Sequence, residues 1–183
     1  MKLPIDYENR MRQILGDEAD AYLSELENAP VRAFRVNTDK ISLTEFERIN
    51  PFGNEKIPFV ENGFYTDFEK IGNHPYHHAG LIYVQEPAAM APCECIAIKS
   101  DWKILDMCAA PGGKSSQLRN KLSDDGVLVS NEIIPSRCKI LTGNIERLGF
   151  KNTVTTCCDS NRLAKAFPKA FDMIKHKSPL AKI

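Results

Sequence analysis

Leu105-Asp106-Met107-Cys108-Ala109-Ala110-Pro111-Gly112-Gly113-Lys114 is the stretch on which the reading of this chain turns. Lys103 to Met107 is apolar enough for a buried strand and Gly113 to Leu122 suits a helix. Between them runs a loop of small residues closed by two glycines. Strand, small-residue loop and helix in that order make the usual cradle for a nucleotide-type cofactor. The glycines let the backbone approach a ligand, and free amides at the start of the helix favour its anionic end.

Working outward, the pattern alternates regularly. Val127 to Asn131 predicts a second strand, and Pro135 to Leu148 a helix with Pro at its start and Gly149 at its end. Val154 to Cys157 predicts a third strand, Asn161 to Phe167 a short helix, and Phe171 to Ile174 the beginning of a fourth strand. Upstream, Leu81 to Val84 is a short strand or extended entry, and Pro87 to Ile98 suits a helix with Pro in its first turn. Such alternation from Gly80 onward predicts an α/β fold with a parallel, Rossmann-like sheet. A strand covered on both faces should continue apolar, yet Lys175-His176-Lys177-Ser178-Pro179 follows the fourth. The sheet is therefore expected to be truncated, with its first strand left as an open, association-prone edge.

The region before Gly80 has another character. Asp6 to Leu26 spaces Ile14, Leu15, Tyr22, Leu23 and Leu26 as one amphipathic helix, and Pro30 closes it. Val31 to Asn37 alternates like a half-buried strand. Ser42 with Glu45 forms a capping-box pattern ahead of a short helix, and Ile57 to Tyr65 predicts another strand. The expected organisation is a small α+β N-terminal region over residues 1–73, followed by the truncated Rossmann-like domain over 74–183.

Composition narrows the classes. Lys+Arg and Asp+Glu both number 24, so net charge supplies no steering toward nucleic acid, and a local basic surface would have to do so. The N-terminus has no secretory apolar region and no apolar run approaches a membrane span, which points to a cytosolic protein. The six cysteines lack paired C-x-x-C spacing, so reduced thiols are expected and no metal. Cys157 and Cys158 would point to opposite faces of a strand end, poorly placed to grip one ion.

Two acids fall where a doubly wound sheet places ligand contacts. Glu132 follows the second strand, the position of a carboxylate accepting from ribose hydroxyls, and Asp159 follows the third, within reach of an adenine amino group. A glycine turn alone is often only a tight turn, and acids after strands are common on surfaces. At successive strand ends the three converge on one crevice. Gly113-Lys114-Ser115 also resembles the end of a phosphate-binding loop, but that motif needs a glycine where Cys108 stands, and no later acidic strand end offers a magnesium ligand.

Leu105 to Ser115 resembles the cofactor motif of the Sun-type RNA cytosine-5 methyltransferases, and the flanks are similar too. Upstream these are His74-Pro75-Tyr76-His77-His78-Ala79-Gly80 and Val84-Gln85-Glu86-Pro87-Ala88-Ala89-Met90, especially as in bacterial ribosomal RNA members. Downstream they are Asn131-Glu132 and Asn144-Ile145-Glu146-Arg147-Leu148-Gly149. The likeness runs over residues 3 to 174. It implies that Cys108, Ala109, Ala110, Pro111, Gly112, Gly113 and Lys114 line S-adenosylmethionine, that Glu132 binds its ribose, and that Asp159 lies beside its adenine. It also implies a ribosomal RNA partner and a small RNA-handling region ahead of the cofactor domain. Arg137 is open between the cofactor carboxylate and a surface role, and His74, His77 and His78 between RNA contact and loop structure.

Cytosine is a poor nucleophile at carbon 5, so members of this family attack carbon 6 with a cysteine thiolate and use a second cysteine for release. Those cysteines sit in Asp-Ala-Pro-Cys and Thr-Cys-Ser segments, and this sequence has neither. The resemblance therefore implies a cofactor-binding portion without its own nucleophile, with no catalytic residue to name. A non-catalytic RNA-binding or assembly module that kept the fold for its shape is the alternative from another class.

Overall fold

The computed structural model describes residues 3–176. The chain divides into two compact units, Met1–Val31 and Arg32–Ile183.

In the first unit the expected single helix is two. Helix α1 (Ile5–Leu15) ends where Gly16 turns to φ 54° and returns its amide to the Arg12 carbonyl. A short 3-10 turn over Gly16–Glu18 follows, then α2 (Ala19–Glu25). A positive φ costs glycine little, and that lets the chain break there. Arg12 and Asp20 pair across the break at 2.6 Å.

The second unit holds two sheets. A three-stranded antiparallel sheet has the order β2-β1-β3, formed by β1 (Ala33–Val36), β2 (Gly63–Tyr65) and β3 (Ile82–Val84). Helix α3 (Leu43–Ile49) starts with the expected capping box, Ser42 and Glu45 bonding each other's backbone amides. One face of the sheet carries an apolar cluster of Phe34, Val36, Phe46, Phe52, Phe64, Ile71 and Ile82.

Three elements depart from the sequence pattern. Strand β1 is buried at all four positions rather than at alternate ones, because both its faces are covered. Phe34 and Val36 enter the aromatic cluster, while Ala33 packs with Ile57, Val60 and Met90. Residues 57–63 form a turn and only Gly63–Tyr65 pairs with β1. A Cβ on Gly63 would lie 2.9 Å from the Val60 side chain, so the turn closes only around glycine. Ile82–Val84 pairs antiparallel with β1 and so completes the first sheet rather than the parallel one.

Helix α4 (Pro75–His78) and α5 (Pro87–Glu94) lead into the parallel sheet, whose order is β6-β5-β4-β7. Its strands are β4 (Lys103–Asp106), β5 (Val127–Asn131), β6 (Thr153–Thr156) and β7 (Met173–Lys175). Helices α6 (Gly113–Arg119), α7 (Pro135–Leu148) and α8 (Ser160–Ala166) connect them. Ile104 and Leu128 pack with Cys93, Leu118 and Leu122, while Leu105 and Val129 pack with Leu163. Successive residues thus face opposite layers, as the strand period requires. The chain runs outward from β4 to β6 and then crosses to the other side of β4. That reversal opens a crevice beyond the strand ends, the usual ligand site of doubly wound sheets.

The expected open edge on the first strand is corrected here. β7 pairs with β4 in parallel register, Asp106 opposite Lys175, so β4 has neighbours on both sides. Lys175 does not interrupt the strand because its ammonium reaches the Asp106 carboxylate at 2.7 Å. Lys177, Ser178 and Pro179 lie outside the described residues.

Candidate cofactor site

Asp106 ends β4 with no exposed surface. A buried carboxylate must be paired and hydrogen-bonded. Here Lys175 Nζ stands 2.7 Å from Oδ1, Ser115 Oγ donates to Oδ2 at 2.8 Å, and the Cys108 amide donates to Oδ1 at 3.3 Å. One side chain thus gathers the first residue of the glycine loop, the first turn of α6 and the neighbouring strand.

The two glycines serve different purposes. Gly112 precedes α6 at φ 115°, a conformation that other residues adopt only under strain. Gly113 has no such φ. A Cβ there would lie 3.3 Å from the Gln85 and Tyr83 side chains, so its smallness admits the antiparallel sheet. From that sheet Arg35, 1% exposed, donates to the Gly113 carbonyl and Ser116 Oγ at 2.7 Å each and to Gln85 Oε1 at 3.1 Å. Burial pulls its guanidinium down to about 10, a sign that these neutral acceptors only partly replace water. Sequence reasoning missed Arg35 because it stands at an alternating position of an ordinary-looking strand.

Asn131 at the end of β5 is a second missed residue. Its amide donates to the Met107 carbonyl at 3.3 Å and the Cys158 carbonyl at 3.0 Å, and its oxygen accepts from Thr156 Oγ1 and the Cys158 amide. The Ala109 amide in turn donates to the Asn131 carbonyl at 2.8 Å. Three strand ends are therefore fastened together, and the loop is brought beside Glu132.

Glu132 is 3% exposed. Its Oε1 accepts from the Ile134 amide at 3.1 Å. Its Oε2 lies 2.9 Å from Arg137 Nη1 as an ion pair, but without the alignment of a hydrogen bond, and among the described residues no other donor reaches it. The other Arg137 nitrogen, Nη2, donates to the Ala110 carbonyl of the loop at 2.9 Å. Asn144 from α7 holds the next carbonyl, that of Pro111, at 2.9 Å.

Asp159 has a structural task at the head of α8, where its Oδ1 accepts from the Asn161 and Arg162 amides at 2.9 and 3.0 Å. Cys108 and Lys114 are half-buried at the two ends of the loop. His74 caps α4 through Nδ1, accepting from the Tyr76 amide at 3.1 Å, and packs edge-on against Phe52 and Tyr76. Burial, with Arg147 nearby, pulls His77 down to about 4. Both observations favour a loop-building role for these two histidines, while His78 is exposed.

Among the cysteines, burial pushes the Cys93 thiol up to about 11, and burial together with the neighbouring Cys157 thiol raises Cys138. Neither is an activated thiolate. Among the described residues no cluster of His, Cys, Asp and Glu could hold a metal ion, and no helix is long and apolar enough to cross a membrane.

Comparison with known proteins accords with this geometry. Residues 3–87 match the N-terminal domain of 16S rRNA methyltransferase RsmF, and residues 94–180 match the 16S rRNA methyltransferase RsmB/F family. Ribosomal RNA small subunit methyltransferase F of Pectobacterium carotovorum is 34% identical over 97% of this chain and 39% of its own length. The protein of the same name from Vibrio cholerae is 34% identical over 98% of this chain and 40% of its own. The chain thus spans about two fifths of these curated relatives.

A methyltransferase homologue from Pyrococcus horikoshii superposes with a TM-score of 0.79 at 32% identity, covering 91% of this chain and 56% of that one. NSun6 from the same organism shares the fold, with a TM-score of 0.82 at 19% identity over 96% of this chain and 70% of that one. The glycine loop and its flanks lie within a continuous likeness running through both matched regions, and the chain belongs to the RsmB/F family of 16S rRNA methyltransferases, the Sun-type group.

Proposed function

We propose that this chain is the cofactor-binding portion of an S-adenosylmethionine-dependent enzyme that methylates carbon 5 of a cytosine in small-subunit ribosomal RNA. The observation that carries the cofactor assignment is the buried Glu132 Oε2, which lacks a hydrogen-bond donor among the described residues at a strand end beside the glycine loop. An unsatisfied buried carboxylate oxygen is costly, and a ribose hydroxyl would satisfy it. The names and identities of the small-subunit methyltransferase F relatives support the RNA class.

In this reading Cys108 to Lys114 line the cofactor, Glu132 accepts from its ribose, and Asp159, with Oδ1 committed to α8, uses its other oxygen toward the adenine amino group. S-adenosylmethionine supplies a methyl group activated on a sulfonium. Residues 1–73 are assigned to RNA handling and 74–183 to the cofactor, with β3 (Ile82–Val84) reaching back to complete the first sheet. The reading also implies a cytoplasmic protein.

Calorimetric titration with S-adenosylhomocysteine tests the site: saturable binding that Glu132→Gln weakens is expected, and absence of binding refutes the assignment. RNA binding without cofactor binding would favour the assembly-module reading.

A further inference from the structure

Arg137 offers more than a surface charge. Its guanidinium faces two acceptors on different strand ends: Glu132 Oε2 at 2.9 Å, at the end of β5, and the Ala110 carbonyl at 2.9 Å, in the loop after β4. Its side chain is 46% exposed, while that of Glu132 is 3% exposed, so the arginine spans from solvent to a buried carboxylate. The Ile134 amide fixes Glu132 Oε1 and leaves Oε2 to be aimed by Arg137 alone. A planar fork can serve two acceptors in fixed relative positions, which a lysine ammonium on its flexible stem cannot do equally well.

We infer that Arg137 is a positioning residue that locks the glycine loop to Glu132, holding Oε2 turned toward the ribose hydroxyls of the bound cofactor. Arg137 touches neither hydroxyl and acts through Glu132. This assignment replaces direct contact with the cofactor carboxylate, since both nitrogens that face the protein are committed elsewhere. It rests on the proposed cofactor site for its ligand, and on the ion pair and loop contact for its geometry.

The test uses the whole chain, its Arg137→Met and Arg137→Lys variants, and two ligands. These are S-adenosylhomocysteine and its analogue lacking both ribose hydroxyls. Wild type should bind the first at least about tenfold more tightly, the worth of a hydrogen bond to a charged group. Arg137→Met should shrink that gap to about threefold or less while leaving the dideoxy analogue's affinity unchanged, with Arg137→Lys intermediate. Equal weakening of both ligands would mark a merely structural arginine and overturn the inference.

A ligand-free arm keeps the loop contact separable from the cofactor reading. The Gly112 amide donates to the Ala109 carbonyl at 2.8 Å, closing the turn that Arg137 holds at Ala110. In Arg137→Met its hydrogen exchange should quicken by about tenfold, with core amides of β4 and β5 unchanged. Unchanged exchange at Gly112 overturns the inference even if the cofactor binds. Quickened exchange with no binding of either ligand by wild type would refute the proposed function and, with it, the ribose half of the inference, leaving only the lock on the loop.

Discussion

Two buried carboxylates stand at neighbouring strand ends and have been treated very differently by the fold. Asp106 at the end of β4 is satisfied on both oxygens, by Lys175, Ser115 and the Cys108 amide. Glu132 just past β5 has one oxygen held by a backbone amide and the other beside a cation but without a hydrogen bond. A saturated carboxylate is part of the scaffold, because any ligand reaching it would have to displace what it already holds. An unsaturated one can accept from a further donor without displacing any. Burial is nearly equal in the two, so satisfaction rather than burial separates them.

The largest effect expected from probing that difference is at Asp106. Asp106→Ala should lower stability by about 3 kcal/mol in urea unfolding, since removing one partner leaves Lys175 largely buried and unpaired. Changing both, Asp106→Asn with Lys175→Met, should recover part of the loss. If the double variant is no better than the single one, the two are not coupled and the scaffold reading of Asp106 fails. Next comes the loop between the acids. Gly112→Ala, at φ 115°, should cost about 2 kcal/mol from backbone strain alone, read by the same unfolding experiment.

Glu132→Gln should do the opposite of Asp106→Ala. Stability should move by less than about 0.5 kcal/mol, because the half-exposed Arg137 can turn to water, while S-adenosylhomocysteine affinity falls at least about tenfold. Large destabilisation there would erase the distinction between the two acids. Asp159→Ala should cost about 1 kcal/mol through loss of the α8 cap, and any drop in affinity beyond a matched cap variant, Asp159→Ser, measures its share in binding the adenine. The smallest change is expected at Gly113→Ala, under about 1 kcal/mol, since the added methyl meets only side-chain atoms at 3.3 Å and Ala favours the helix.

Much of this site was legible along the chain. Val127–Asn131 and Pro135–Leu148 form over the expected residues, because an apolar Val-Leu-Val run and a helix bounded by Pro and Gly are readable in local composition. The loop and Glu132 also stand at the adjacent strand ends that the alternation predicts. Less legible were residues whose role depends on a distant partner. Arg35 looked like the polar half of a half-buried strand, and only the packing of α6 against that face shows its hydrogen bonds to Gly113 and Ser116. Lys175 looked like a strand breaker, since a charge in a parallel strand is unfavourable until its counter-charge is known. Asn131 was only one letter of a motif, although it ties three strand ends together.

The order of small residues, glycines and acids after successive strands was enough to determine the class of sheet, the direction of its crevice and the family. Those properties depend on periodicity and local turn chemistry, which are written within a few residues. Which acid is already saturated and which side chains fasten the glycine loop were decided only by the tertiary structure. Each depends on groups 27 to 78 residues apart in the chain meeting in the fold, as at Arg35 with Gly113, Arg137 with Ala110 and Asp106 with Lys175.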